Sequence, residues 1–139
     1  MTAKEYLSQA FRLDSRIQLK MEQIEYLRNL STKATSTIDA IRVSGTRERY
    51  RMENAADRIM DYQSEVKEDL ERLLRLKREI KQKINLVIPI DQRMILESRY
   101  LCFKSWDTIS DDLGYSYRQL HRIHGRALSE FGKLIELDQ

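Results

Sequence analysis

Apolar residues recur at helical spacing through most of this chain, and the places where the recurrence lapses divide it into five predicted helices. From Thr2 to Leu30 the positions Tyr6, Leu7, Ala10, Leu13, Ile17, Met21, Ile24 and Leu27 fall on one helical face, the period of an amphipathic helix. Phe11, Leu19 and Leu30 widen this stripe, and Arg12, Asp14, Arg16, Lys20, Glu22 and Glu25 supply a solvated face of mixed charge. Thr2, with Glu5 three residues on, has the spacing of a capping box. Ser31 to Thr46 is rich in Ser and Thr and loses the period, so it reads as a connector that turns near Ser44-Gly45. Arg47, Arg49 and Arg51 follow it. They could touch phosphates, but a solvated helix start is the commoner meaning of such a cluster.

A longer helix is predicted from Glu48 to Val87. Ile59, Tyr62, Val66, Leu70, Leu73, Ile80, Ile84 and Val87 recur at near-heptad spacing, with Leu74 and Leu76 beside them. Residues 52 to 84 carry eight acidic and eight basic side chains, so the helix is close to neutral and its stripe, rather than its charge, must hold it. Such a stripe needs a second helix. The first helix, folded back as an antiparallel, coiled-coil-like hairpin, is the natural partner. It is too short to cover the whole stripe, which leaves surface for a second copy of the chain or another protein, and a homodimer through these N-terminal helices is the expectation. Pro89 is the single proline; the residue before it avoids the helical region, so the long helix is expected to stop at Ile88. The chain then divides into residues 1–88, a helical hairpin for dimerisation or partner binding, and residues 89–139, a smaller module.

That module reads as three short helices. Asp91 to Leu101 offers Met94, Ile95 and Leu101 inward, with Tyr100 closing its end. Ser105 caps Trp106 to Leu113, in which Trp106, Ile109 and Leu113 share a face and Asp107, Asp111 and Asp112 lie elsewhere. Gly114 is the natural left-handed residue at that helix end. Ser116 caps the last helix, whose buried stripe is Leu120, Ile123, Ala127, Leu128 and Phe131. The spacing is that of a helix-turn-helix, which presents its second helix to the major groove of DNA.

Composition supports this all-α reading. With Gly 4 and Pro 1 against 34% charged residues, the chain favours helices over sheets. The net charge of +3 is compatible with nucleic acid, but where the charge sits decides more. Between Ser116 and Leu128 there are three Arg, two His and no acid, the densest single-sign patch of the chain. The outward residues there are Tyr117, Arg118, Gln119, His121, Arg122 and Arg126. Arg can fork onto guanine and Gln onto adenine, while Tyr, Ser and His suit phosphate or thymine; Arg126, two turns into the helix, suits a phosphate. No apolar run approaches the ~20 residues of a membrane span, and the first residues have no signal-peptide pattern. The lone Cys102 fits a reducing, cytoplasmic setting and, in the run Tyr100-Leu101-Cys102-Phe103, reads as a buried thiol.

At these residues a resemblance becomes specific. The run from Arg99 to Leu128 is similar to region 4 of sigma-70-type transcription factors, which carry Leu-Gly-x-Ser between two helices and a following Ile-x-x-Arg-Ala-Leu. Leu113-Gly114-Tyr115-Ser116 and Ile123, Arg126, Ala127 and Leu128 match it. The chain departs from that family at Thr108-Ile109-Ser110, where Glu-Ile-Ala is usual, and it has no counterpart of the sigma region that melts promoters. The whole chain resembles a family of small phage and prophage proteins with a sigma-like C-terminus. The resemblance implies DNA contact at Tyr117, Arg118, His121 and Arg122, a bacterial host cytoplasm, double-stranded promoter DNA as partner, and host RNA polymerase as a candidate second partner.

Other chemistry is weaker. His121 and His124 lie three apart without a nearby Cys or carboxylate, which does not make a zinc site; His124 reads as a partly buried structural residue beside Gly125, which would permit close helix approach. Asp107, Asp111 and Asp112 could suggest a metal nuclease, but acids near a helix start also suit its dipole. No catalytic arrangement and no cofactor motif stands out, so no enzyme is expected. Trp106 reads as core. The expected function is a phage-type transcriptional regulator. The alternative is a helical adaptor or assembly protein, such as a packaging component or an inhibitor of a host factor, whose helix-turn-helix docks protein.

Overall fold

The computed structural model describes residues 1–40 and 45–137, with the side chains of 33–40, 45–48 and 50 outside the description. All regular structure among the described residues is helical: α1 (Ala3–Ala40), α2 (Gly45–Ile84), α3 (Ile90–Leu96), a π-helical turn (Glu97–Leu101), α4 (Trp106–Leu113) and α5 (Tyr117–Leu137). The first helix starts at the capping box anticipated for it. The Thr2 amide donates to Glu5 Oε2 at 2.9 Å, and the Glu5 amide donates to Thr2 Oγ1 at 3.2 Å.

The Ser/Thr-rich connector is a correction. Residues 31–40 continue α1, and 45 and 46 already belong to α2. Ser and Thr are only mildly poorer helix formers than Leu or Lys, and Thr32 satisfies its hydroxyl on the Arg28 carbonyl at 3.0 Å, within the helix. Of the expected turn, Ser44 lies outside the described residues, as does the side chain of Arg47; Arg49 and Arg51 are exposed. At the other end α2 stops at Ile84, four residues before Ile88. Its last amides tighten to three-residue bonds, Leu86 N–H to Lys83 O at 3.1 Å and Val87 N–H to Ile84 O at 2.9 Å. Val87 is buried, while Ile88, the residue before Pro89, is 89% exposed.

The chain folds as two compact units, residues 1–13 with 73–139 and residues 14–72. Pro89, the expected boundary, falls inside the first of these, because the ends of the long helices pack with the C-terminal helices. Tyr6 lies 5.7 Å from Phe131 between ring centroids, Phe11 lies 5.6 Å from Phe103, and Lys81 pairs with Glu97. Leu7 and Ala10 of α1, Ile80 and Ile84 of α2, and Phe131 of α5 are fully buried in this unit. Ile95, Ile109 and Leu120 form a second apolar cluster, with Trp106, Leu113, Tyr115 and Ile123 packed against it. Met94, expected inward, is exposed, and Leu96 is buried instead.

In the unit of residues 14–72, Ile17, Ile24 and Ala55 are buried together with an acid, Asp69. The stripe expected on α2 places Leu70 inward, yet Leu70 is exposed, as are Leu19, Met21 and Leu30 of α1. The Asp69 carboxylate accepts from Lys20 Nζ at 2.8 Å, and Glu65 lies 3.2 Å from the same ammonium. A buried acid survives here because its cation comes with it. Lys20 holds the Asp69 carboxyl below its ordinary pKa, and its own is raised by Asp69.

Candidate nucleic-acid interface

The surface in question begins where α4 ends. Ser105 caps α4 by accepting from the Thr108 amide at 3.2 Å, and Gly114 closes it with φ 73 while its amide bonds the Ser110 carbonyl. The Ser110 hydroxyl donates to the Tyr115 carbonyl. This bond ties α4 to the turn at the position where the sigma-like pattern has Ala. The next helix opens with a second capping box: the Gln119 amide donates to Ser116 Oγ at 3.3 Å, and Gln119 Oε1 accepts from the Ser116 amide at 3.2 Å.

All seven residues expected to meet DNA, namely Ser116, Tyr117, Arg118, Gln119, His121, Arg122 and Arg126, are exposed. They are not equivalent. Ser116 and Gln119 hold one another in the cap. The Tyr117 hydroxyl donates to Asp107 of α4 at 2.7 Å, which raises its pKa. His121 stands between two rings, 5.4 Å from Tyr117 and 5.0 Å from Trp106. Arg118, Arg122 and Arg126 are different. They repeat every fourth residue on α5, and none has an ion-pair partner among the described residues. Three such side chains span about 12 Å along a helix at about 1.5 Å per residue, similar to the width of a DNA major groove. With Asp107 beside Tyr117, the cationic surface starts at Arg118.

Beneath this face the rings continue inward. Trp106 meets His124 at 4.6 Å between centroids, and His124 stacks on Tyr100 at 5.8 Å. The Tyr100 hydroxyl and His124 Nε2 are 2.8 Å apart. Burial, with the nearby charges of His121, Lys4 and Arg99, lowers the His124 pKa to about 4, and burial raises that of Tyr100. His124 is thus the structural residue expected, but Gly125 is exposed and a Cβ there would meet nothing within 4 Å. At Gly132 a Cβ would lie 3.8 Å from that of Ala3, an ordinary van der Waals contact. Cys102 is a further correction: it is exposed. The π-helical turn, with the Cys102 amide bonded to Glu97 O at 3.0 Å, rotates it outward and takes Tyr100 inward.

Sequence patterning did not single out Arg99, whose guanidinium lies 4.7 Å over the Trp106 ring. No helical period foretells a π turn, so its neighbours carry no readable signal. Lys104 pairs with Asp112 at 2.9 Å, which raises the lysine's pKa. Among the described residues no group of three His, Cys, Asp or Glu could hold a metal ion, and no helix is long and apolar enough to cross a membrane. No family model, no curated protein and no solved structure matches this chain.

Proposed function

We propose that the chain is a phage-type transcriptional regulator that binds promoter DNA through α4 and α5 acting as a sigma-70 region 4-like helix-turn-helix. The observation that supports this is the row Arg118, Arg122 and Arg126, exposed, four residues apart and without acidic partners among the described residues, on a helix pinned at its start by a capping box. Unpaired arginines on a rigid helix can reach both base edges and phosphates with little further ordering. In this reading Arg118 and Arg122 face bases, Arg126 holds a phosphate, and Tyr117 and Gln119 act mainly by fixing the helix. Host RNA polymerase remains a candidate partner, and no chemical step is assigned to the chain.

The test is selection from a random double-stranded DNA pool at two salt concentrations, followed by binding of the enriched sequence. Enrichment of one motif, weakened steeply by salt and lost in Arg118→Ala/Arg122→Ala with helicity intact, supports the reading. Retained specific binding by that variant overturns the choice of reading residues.

A second reading rests on residues 14–72. Leu19, Met21, Tyr26, Leu30, Met60 and Leu70 are all exposed there, more large apolar side chains than a solvated helical face needs. We propose that a second copy of the chain covers them, giving a homodimer. If the DNA pool yields no motif, the same surface favours the helical adaptor instead, with protein as the partner.

A further inference from the structure

We propose that the first unit carries a binding cleft for a small aromatic carboxylate, one ring in size and separate from the outer face of α5. This goes beyond DNA binding and does not rest on it. The cleft encloses about 150 Å³. Lys4, Ser8 and Phe11 of α1 line one side; Arg99, Phe103 and Trp106 line the other, with the buried Tyr100 between them in sequence.

Charge selects an anion. Lys4 and Arg99 both line the cleft and no carboxylate does. Neither cation has an acidic partner among the described residues. Arg99 is already held in place, since its guanidinium lies over the Trp106 indole and Nη1 donates to the Lys104 carbonyl at 3.0 Å. The remaining donors of its fork match a carboxylate. Two cations at one concavity without an anion raise the local concentration of negatively charged ligands.

The walls select a ring. Phe11 meets Phe103 edge to face at 5.6 Å, and Trp106 presents a third aromatic surface to the same space. Phe103 sits at φ 57, the only non-glycine with positive φ among the described residues. That conformation is strained for an L-residue, and such positions collect at ligand clamps. It lies two residues beyond the π-helical turn Glu97–Leu101, an element found frequently at functional sites. Lys77 Nζ lies 4.5 Å from the Phe103 ring centre, a cation–π contact that favours this ring position.

Size sets the limit. An apolar cavity near 150 Å³ accommodates about one benzene ring, so a ring bearing one carboxylate fills the cleft. A nucleotide is too large to enter it. The ring would lie among Phe11, Phe103 and Trp106, with its carboxylate on Arg99 and Lys4 and the Ser8 hydroxyl within the same lining.

Trp106 is the only tryptophan, so its indole N–H gives one resolved signal in a nitrogen–proton correlation spectrum of the full chain. Titration with benzoate is expected to shift that signal saturably. Acetate, which lacks the ring, and benzyl alcohol, which lacks the charge, should each bind at least about ten-fold more weakly, the scale of burying one ring in the first case and of one charge-assisted hydrogen bond in the second. Arg99→Gln should weaken benzoate by a similar factor. Because Arg99 also braces the loop, Lys4→Gln at an exposed position is the companion variant, and it should weaken binding with the spectrum otherwise unchanged. The proposal is overturned if benzoate gives no saturable shift, if acetate or benzyl alcohol binds equally well, or if Lys4→Gln binds as the parent does. DNA selection in the absence of aromatic acids reads α5 independently of these outcomes.

Discussion

His124 shows how one side chain joins packing to pH response. It is buried against Trp106 and bonded to Tyr100, so protonating it in place means charging a group without an anion, near Lys4, Arg99 and His121. Its folded pKa of about 4 lies below the ordinary 6.5. The unfolded chain therefore binds the proton more readily, and stability is full above about pH 6.5 and falls as pH drops towards 4. The loss expected across that window is on the order of 2 kcal/mol, reduced from the full shift because the site is not wholly shielded. Urea unfolding at pH 7 and pH 4 measures it, and His124→Phe should remove most of His124's share of the difference while costing stability at pH 7. An unchanged pH dependence in that variant would refute the assignment. His124 was readable in outline, since Leu120, His124, Ala127 and Phe131 share a helical face. Cys102 was not, because an apolar run says nothing of the π turn that swings it outward.

At the scale of elements, two glycines on either side of a helix start make opposite predictions. Gly114 has φ 73 and open space around its missing Cβ, so Gly114→Ala should cost about 1 kcal/mol from the backbone alone. Gly125 lies within α5 with nothing near its Cβ position, so Gly125→Ala should stabilise by about 1 kcal/mol. Thermal unfolding of both variants checks the signs; a destabilised Gly125→Ala would mean that something does approach that face. The cap at Gly114, the Thr2–Glu5 box and the Ser116 cap were legible because they depend on residues a few positions apart, whereas Gln119, read as a base contact, closes the box with Ser116. Helix length was less so. Ser and Thr between 31 and 40 looked like a break, yet weak local preference yields to a continuing helix. The burial of Asp69 was illegible for a related reason: its partner Lys20 is 49 residues away, and only the paired geometry turns an acid on a stripe into an internal one. Lys20→Met should leave that carboxylate without its cation and lower the melting temperature. Adding Asp69→Leu should restore much of it, since an apolar pair can replace a buried ion pair. A double variant no more stable than the single one would contradict this account.

For the whole molecule, the +3 net charge is unevenly divided. Counting Lys, Arg, Asp and Glu over each unit gives +4 for residues 1–13 with 73–139 and −1 for residues 14–72. DNA attraction should therefore reside in the unit that carries α5, while the other, nearly neutral and rich in exposed apolar side chains, suits association with protein. The three arginines allow this to be resolved contact by contact. A residue that only neutralises a phosphate weakens every sequence alike, and its removal flattens the plot of log affinity against log salt by about 0.9. A residue that reads a base changes which sequence is preferred, at about 1–3 kcal/mol for a good bidentate contact. Arg126→Ala should behave in the first way, with uniformly weaker binding and a flatter salt plot but the same preferred motif. Arg122→Ala should behave in the second, with discrimination at one base position lost. Binding isotherms of both variants on the selected motif and on a scrambled duplex, each at several salt concentrations, separate the two roles. If Arg126→Ala altered the motif and Arg122→Ala left it intact, α5 would have to enter the groove by its middle rather than its N-terminal turns, and the reading position would move from Arg122 about one turn along the helix.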